Sequence, residues 1–215
     1  IDSGANDPHL PYGSCYTTDP AVRAEISAGE TYSLRITLAD GAVLTGTTHV
    51  PGDFRITRPA AATCALPARD TLTIQWTSAP GTWVYAAETS LRGLRPYFAQ
   101  QNIDVDDPLR LFGLSASAQD TTILFPTEFG LFQRFDVDLT EVLAALQDGL
   151  PASVVADVVV AAADRNYVNW ERGGDFNPSG AIRIPSIRGA GTGVFGSLVP
   201  QAFQVRVGST TYPDC

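Results

Sequence analysis

The chain has no Met and no Lys among its 215 residues, only two His and only three Cys. With no Met and an Ile at position 1, it is expected to be a processed product whose signal peptide has gone, which makes secretion the simplest inference. Without Lys, positive charge comes from 14 Arg alone, against 23 acidic residues. The formal net charge of -9 disfavours nucleic acid and anionic lipid as partners and favours solubility. Only His9 and His49 could act as imidazole bases, one in an irregular arm and one in a Thr-rich strand, so both read as ordinary surface histidines. No uninterrupted apolar run approaches the roughly 18 residues of a membrane-spanning helix. Val154 to Ala163 comes nearest and contains Asp157.

What is present is alternation. Tyr32, Leu34, Ile36 and Leu38 alternate with Ser33, Arg35 and Thr37, the pattern of a half-buried strand. Asp40-Gly41 then supplies a hairpin signal, and Val43 to Val50 reads as the returning strand. Residues 1 to 20, rich in Pro, Gly and Asp, read as an irregular arm, and the Ala-rich stretch Pro59 to Pro67 reads as a linker. Beyond it, Leu72, Ile74 and Trp76 alternate, and Ser78-Ala-Pro-Gly81 is expected to turn the chain into a partner strand bearing Trp83, Tyr85 and Ala87. A short helix with Pro96 at its first position is expected over Arg95 to Gln101, and a strand over Thr121 to Phe125. Asp138 as N-cap, Glu141 as its capping-box partner and Gly149 past the end predict a second helix near 139–148. The Val- and Ala-dense Val154 to Ala162 predicts a central strand covered on both faces, with Tyr167 to Trp170 returning beside it and a last strand near Phe203 to Val207.

Three cysteines allow one disulfide and one spare thiol; Cys15 with Cys64 would bracket the first β unit. Closing that loop would stabilise the fold by roughly 4 kcal/mol. Three reduced thiols in a cytosolic protein form the alternative. Gly191, Gly193 and Gly196 spell a dinucleotide-binding glycine pattern, but Pro200 and the alternation of Phe203, Val205 and Val207 leave no room for the helix such a site needs. No cofactor is therefore expected.

Asp104, Asp106 and Asp107 crowd three carboxylates into one loop, as a hard cation would want, yet they lack the glycine and distal Glu of a calcium loop, so a solvated acidic turn is preferred. Tyr167, Asn166, Asn169, Trp170 and Phe176 combine flat apolar faces with amides, a composition suited to stacking on a sugar ring or a peptide. Arg172, Arg183 and Arg188 could hold a carboxylate bidentately. Tyr167, Asn169, Trp170 and Arg172 are thus the candidate ligand-binding residues, with core packing as the competing reading. Glu128, Glu171 and Asp175 could supply a hydrolytic carboxylate pair, and Ser115 lacks the second glycine of a nucleophile elbow.

Leu72-x-Ile-x-Trp76 followed by a turn and Tyr85 resembles the opening strands of fibronectin type III modules, which implies a buried aromatic between two sheets. Four stretches together resemble a family of bacterial cell-envelope proteins catalogued as domain of unknown function 4249: Gly29 to Ile36, Asp40-Gly41 with Thr47 to Pro51, Leu72 to Trp76, and Ile184 to Gly196. That resemblance implies a β protein exported to the outer membrane or surface and transfers no catalytic residue. The chain departs from the family in lacking an initial lipidated cysteine and the strands that normally precede Gly29-x-x-Tyr32.

The expected fold is all-β: two β-sandwich-like, immunoglobulin- or fibronectin-type-III-like units, with one short helix inserted near 139–148. A small unit over 1–60 with an incomplete strand set would precede a larger one over 68–215. The expected function is non-catalytic binding or structural interaction at the bacterial envelope, secreted, periplasmic or surface-exposed, with a protein, glycan or peptide partner. Self-assembly into a homo-oligomer or filament is the first alternative, and a carboxylate-based hydrolase of an extracellular polymer the second.

Overall fold

A computed structural model describes residues 25–130, 140–173 and 183–215. The fold is all-β, carried among the described residues by three sheets and three short α-helices. At its centre is β9 (Val155–Ala163), where Val and Ala supply the branched and small side chains a flat interior ladder accommodates. Along its whole length it pairs antiparallel with β6 (Val84–Arg92) on one side and β11 (Leu198–Val207) on the other. Edge strands β4 (Thr63–Leu66), parallel to β11, and β7 (Leu109–Leu114), antiparallel to β6, complete a five-stranded sheet in the order β4-β11-β9-β6-β7.

Strand alternation fixes what this sheet buries. Ala156, Val158, Val160 and Ala162 of β9 share one face with Tyr85 and Leu91 of β6 and with Phe203, Val205 and Val207 of β11, all in one core. The opposite face differs from the expectation of double coverage. Asp157 lies there in an ion pair with Arg92 at 2.6 Å and accepts a hydrogen bond from Gln204 at 2.7 Å. Its position among Val residues is thus explained: that stretch of the face meets solvent.

The core is closed by a second, three-stranded sheet, β3 (Ile56–Arg58), β5 (Leu72–Trp76) and β8 (Thr122–Phe125), in the order β3-β5-β8. Leu72, Ile74 and Trp76 alternate as expected and are buried. Their continuation differs: β5 pairs with β3 and β8, and β6 with β7 and β9, so Ser78 to Gly81 carries the chain from one sheet to the other rather than closing a hairpin. Trp76 and Tyr85 face each other edge-on, with ring centroids 5.2 Å apart, and the Tyr85 hydroxyl accepts the Ala79 N–H at 2.7 Å. Burying both aromatics between two layers holds the strands in opposite sheets.

Helix α1 (Arg95–Ala99) begins with Pro96 near its start and buries Phe98. Helix α2 (Thr140–Leu146) falls where expected, sends Val142 and Leu146 into the core, and is followed by Gly149 at φ +86°. Its expected cap Asp138 lies outside the described residues, as do the arm over 1–20, Asp175 and Phe176. The supposed linker Pro59 to Pro67 contains β4, whose Cys64, Ala65 and Leu66 are buried. Phe54 and β3 likewise belong to the larger core and its sheet, so the chain enters the larger unit before residue 60.

The third sheet is β1 (Thr31–Thr37), β2 (Val43–His49) and the short β10 (Arg188–Gly189), in the order β1-β2-β10. Gly41 at φ +87° turns the expected hairpin, and Asp40 Oδ1 accepts the Ala42 N–H. This small sheet thus takes its third, two-residue strand from far along the chain.

Cysteine pairing is corrected as well. Cys64 bonds to Cys215, not to Cys15, which lies outside the described residues. Ala65 N–H donates to Pro213 O and Cys215 N–H to Ala65 O, so the last residues run beside β4 and bring the two Cα atoms to 5.0 Å. With a sequence separation of 151, the bond closes a far longer loop than expected, so in the chain-entropy picture it is worth about 5 kcal/mol. Replacing both Cys64 and Cys215 by Ala is expected to lower unfolding free energy in urea by up to that amount, and non-reducing peptide mapping should recover a Cys64–Cys215 peptide. Recovery of Cys15 joined to Cys64 would contradict the pairing.

Candidate functional site

Asp164 opens helix α3 (Arg165–Arg172), in the segment where a returning strand was expected. Its carboxylate accepts the Tyr167 N–H at 2.8 Å and the Ser197 N–H at 3.2 Å through Oδ1, and the Thr48 hydroxyl at 2.7 Å through Oδ2. An Asp cap at an extended residue starts a helix, and burial of Val168 with part-burial of Tyr167 and Trp170 gives that helix its packed side. Asn166 Nδ2 donates to Thr47 O and Phe195 O, and Ser197 Oγ donates to His49 O. The start of α3 thereby ties β2 to the irregular segment leading into β11.

The glycine pattern serves this junction. No helix follows it; β11 does. A Cβ at Gly196 would lie 2.9 Å from Tyr167 N and 3.1 Å from Asp164 Oδ1, and one at Gly191 3.0 Å from Leu44 Cδ2. These glycines let backbone cross a helix start and a strand side chain.

The four candidate ligand residues therefore lie on a helix. Tyr167 packs on Val84, Ala86, Leu114, Ala163 and Val168, the apolar patch on the outer side of the five-stranded sheet. Trp170 carries the Arg183 guanidinium over its ring at 5.0 Å. Asn169 O accepts the Gly173 N–H, and Arg172 Nη2 reaches Ser115 O at 3.5 Å. Arg188 sits in β10 opposite Thr45, whereas Arg183 lies over Trp170 of the helix that carries Arg172. Asp104, Asp106 and Asp107 are exposed, Asp107 accepting the Gly93 N–H, and no group of three or more His, Cys, Asp or Glu gathers among the described residues.

A different place has the make-up of a binding site. A pocket of about 170 Å³, open to solvent on one side, is walled by Trp76, Tyr85, Ala87 and Val160, with Ser115, Asp120, Thr122 and Glu128 as its polar members. That volume is comparable to cavities that admit a benzene-sized ring. The apolar wall is stiff, because Phe54 packs edge-on against Tyr85 at 5.6 Å and Tyr85 against Trp76. Ser115 is committed, accepting the Tyr85 N–H at 2.9 Å and donating to Ser117 O at 2.8 Å. Asp120 Oδ2 accepts the Ser117 N–H, and Glu128 Oε2 the Leu124 N–H, which anchors both carboxylates while each keeps a second oxygen.

Trp76 is 5% exposed, and its indole N–H is buried without a hydrogen-bond partner. A buried donor left unmade costs about 1–3 kcal/mol, and buried Trp N–H groups usually find a partner. Sequence alternation marked Trp76 as a core aromatic but carried no sign of this orphan donor, and Asp120 had no signal at all. Glu128 stood out only as a carboxylate; the fold places it at this cavity and Glu171 on α3 near Tyr167. No helix in the described residues is long and apolar enough to cross a membrane. Comparison with protein-family models, curated proteins and solved structures finds no match.

Burial pushes the Tyr167 phenol up to about 12, and the Glu171 and Glu88 carboxylates push the same way. Because the folded state holds this proton more tightly than the unfolded chain, stability is untouched below pH 10 and falls as pH rises from 10 towards 12. Urea denaturation at pH 9, 10 and 11 should show a steeper loss in the native protein than in Tyr167→Phe. Equal slopes would remove Tyr167 from the packed patch.

Proposed function

We propose that this chain is a non-catalytic binding module of an oxidising, extracytoplasmic compartment and that the cavity beside Trp76 is its ligand site. The observation that carries the binding reading is a space of ring size walled by Trp76, Tyr85, Ala87 and Val160, with the carboxylates of Asp120 and Glu128 at its side. Ligand sites combine a largely apolar wall with a few polar groups that fix orientation. The Cys64–Cys215 bond supports the compartment, since disulfides persist outside the reducing cytosol. With no family model matching the chain, placement at a bacterial envelope rests on this bond and on the four sequence stretches rather than on demonstrated kinship.

Non-catalytic action agrees with the chemistry of the cavity. Ser115 has no base among its partners, its hydroxyl donating to Ser117 O, and His49 lies elsewhere, with Nδ1 at 3.1 Å from the Thr31 hydroxyl. Titrating toluene into ¹⁵N-labelled protein is expected to shift the Trp76 indole resonance saturably while those of Trp83 and Trp170 stay in place. Ala87→Leu, which fills the cavity, should abolish the shift in a protein that still unfolds cooperatively. An unmoved Trp76 resonance up to the solubility of toluene would remove the cavity as a ligand site.

A further inference from the structure

The residues that line this pocket also fix the charge of what fills it, and this inference rests on the binding reading above. Its floor is one row of small residues across three strands: Val160 of β9 stands beside Ala87 of β6, and Ala87 beside Gly113 of β7. Trp76, Tyr85 and Ile123 supply apolar walls around that row. The charged groups among the described lining residues are Asp120 and Glu128, both half-buried, and no Arg joins them. Each uses one oxygen to accept a nearby backbone N–H, Asp120 Oδ2 that of Ser117 and Glu128 Oε2 that of Leu124. Those bonds hold the carboxylates in place and leave the second oxygen of each able to accept from a ligand. Among the described residues neither forms an ion pair, and the Arg172 guanidinium at the rim reaches Ser115 O instead.

Two carboxylates beside an apolar surface select among ligands of one size. An anionic ring meets like charge in a partly desolvated space. A neutral ring covers the apolar floor and leaves both acids without a counter-charge. A ring that carries an ammonium group covers the floor and also donates charged N–H bonds to the acids, which are stronger than neutral ones. A bare metal ion gains nothing from the apolar floor and finds no group of three or more His, Cys, Asp or Glu among the described residues. Both carboxylates belong to the pocket's own lining, so a ligand that fills about 170 Å³ lies against them.

We infer that this pocket is a site for an organic cation: a primary ammonium group on an apolar body about the size of a benzene ring, the ring on the floor of Val160, Ala87 and Gly113 and the ammonium paired with Asp120, Glu128 or both. The net charge of -9 acts the same way at longer range, drawing cations towards the protein and repelling anions.

Benzylamine, benzyl alcohol and benzoate share a ring and differ chiefly in charge. Each is titrated at pH 7 and low salt and read at the Trp76 indole resonance of ¹⁵N-labelled protein, with toluene as the reference for the bare ring. Benzylamine is expected to bind about tenfold more tightly than benzyl alcohol, a preference that shrinks as salt is raised, and benzoate to bind more weakly than either. Asp120→Asn and Glu128→Gln each keep an oxygen for the backbone N–H and remove the charge. Either should cut the preference for benzylamine severalfold, and the two together should abolish it while benzyl alcohol binds as in the native protein, which also shows the variant to be folded. The ranking of the three compounds by the native protein decides the matter if a variant fails to fold. Equal affinities for benzylamine and benzyl alcohol, benzoate binding as tight as benzylamine, or a preference that survives the double substitution would each overturn the charge assignment and leave the pocket a binding site. A toluene shift without a benzylamine shift would sink this inference alone, and silence from both would sink the reading beneath it as well.

Discussion

Pairing of β9 with β6 on one side and β11 on the other constrains every other feature of this molecule, because a strand held on both edges cannot shift by one residue without turning its whole buried row to solvent. In the register it adopts, Val158 stands between Thr89 and Phe203, and Ala156 between Leu91 and Val205. These rows form the floor on which β5 and β8 lie. One step along the same ladder, Val160 stands beside Ala87, and the two small side chains leave the space that Trp76 and Tyr85 border. The cavity is therefore a consequence of the ladder's register and of small residues placed at one level of it.

Edge strands of the central sheet and of the small sheet are handled differently. At β4 the last residues of the chain run alongside, pair with Ala65 and are fastened through Cys64, so backbone groups that would face solvent are partly taken up. Among the described residues β1 pairs only with β2, and Ile36 and Leu38 beside its end are each 39% exposed. Polar side chains attach this small sheet to the rest: Thr48 to Asp164, Ser197 to His49, and Asn166 to Thr47. One carboxylate thus caps a helix and docks a sheet, which accounts for a buried Asp in a chain otherwise sparing with buried charge.

Local pattern showed the strands clearly wherever apolar and polar side chains alternate: Tyr32 to Thr37, Leu72 to Trp76 and Phe203 to Val207 all lie in strands, although β1 has no fully buried residue. It placed α2 and set aside the glycine pattern for a sound reason, since a strand follows Gly196. It failed where tertiary contacts decide. Tyr167 and Trp170 have aromatic side chains that suit a strand, but Asp164 caps the segment and Val168 has an apolar pocket to fill, so helix prevails. Ser78 to Gly81 has the composition of a hairpin turn, and nothing in it reveals that the two strands it joins belong to opposite layers. Cys64 could not be paired from spacing because its partner arrives by way of β11, through the last strand of the fold. The cavity was illegible for a similar reason: Trp76, Asp120 and Glu128 are gathered by three separate elements, and an unmade hydrogen bond has no trace in a sequence.

Native-state hydrogen exchange tests the central constraint most directly. If β9 is held on both sides through the core, the amides of Val158, Val160 and Ala162 exchange last, at a free energy equal to that of global unfolding, while those of β1 and β2 exchange earlier through a local opening. Amides of residues 155–163 that exchanged as fast as those of residues 31–49 would contradict the account.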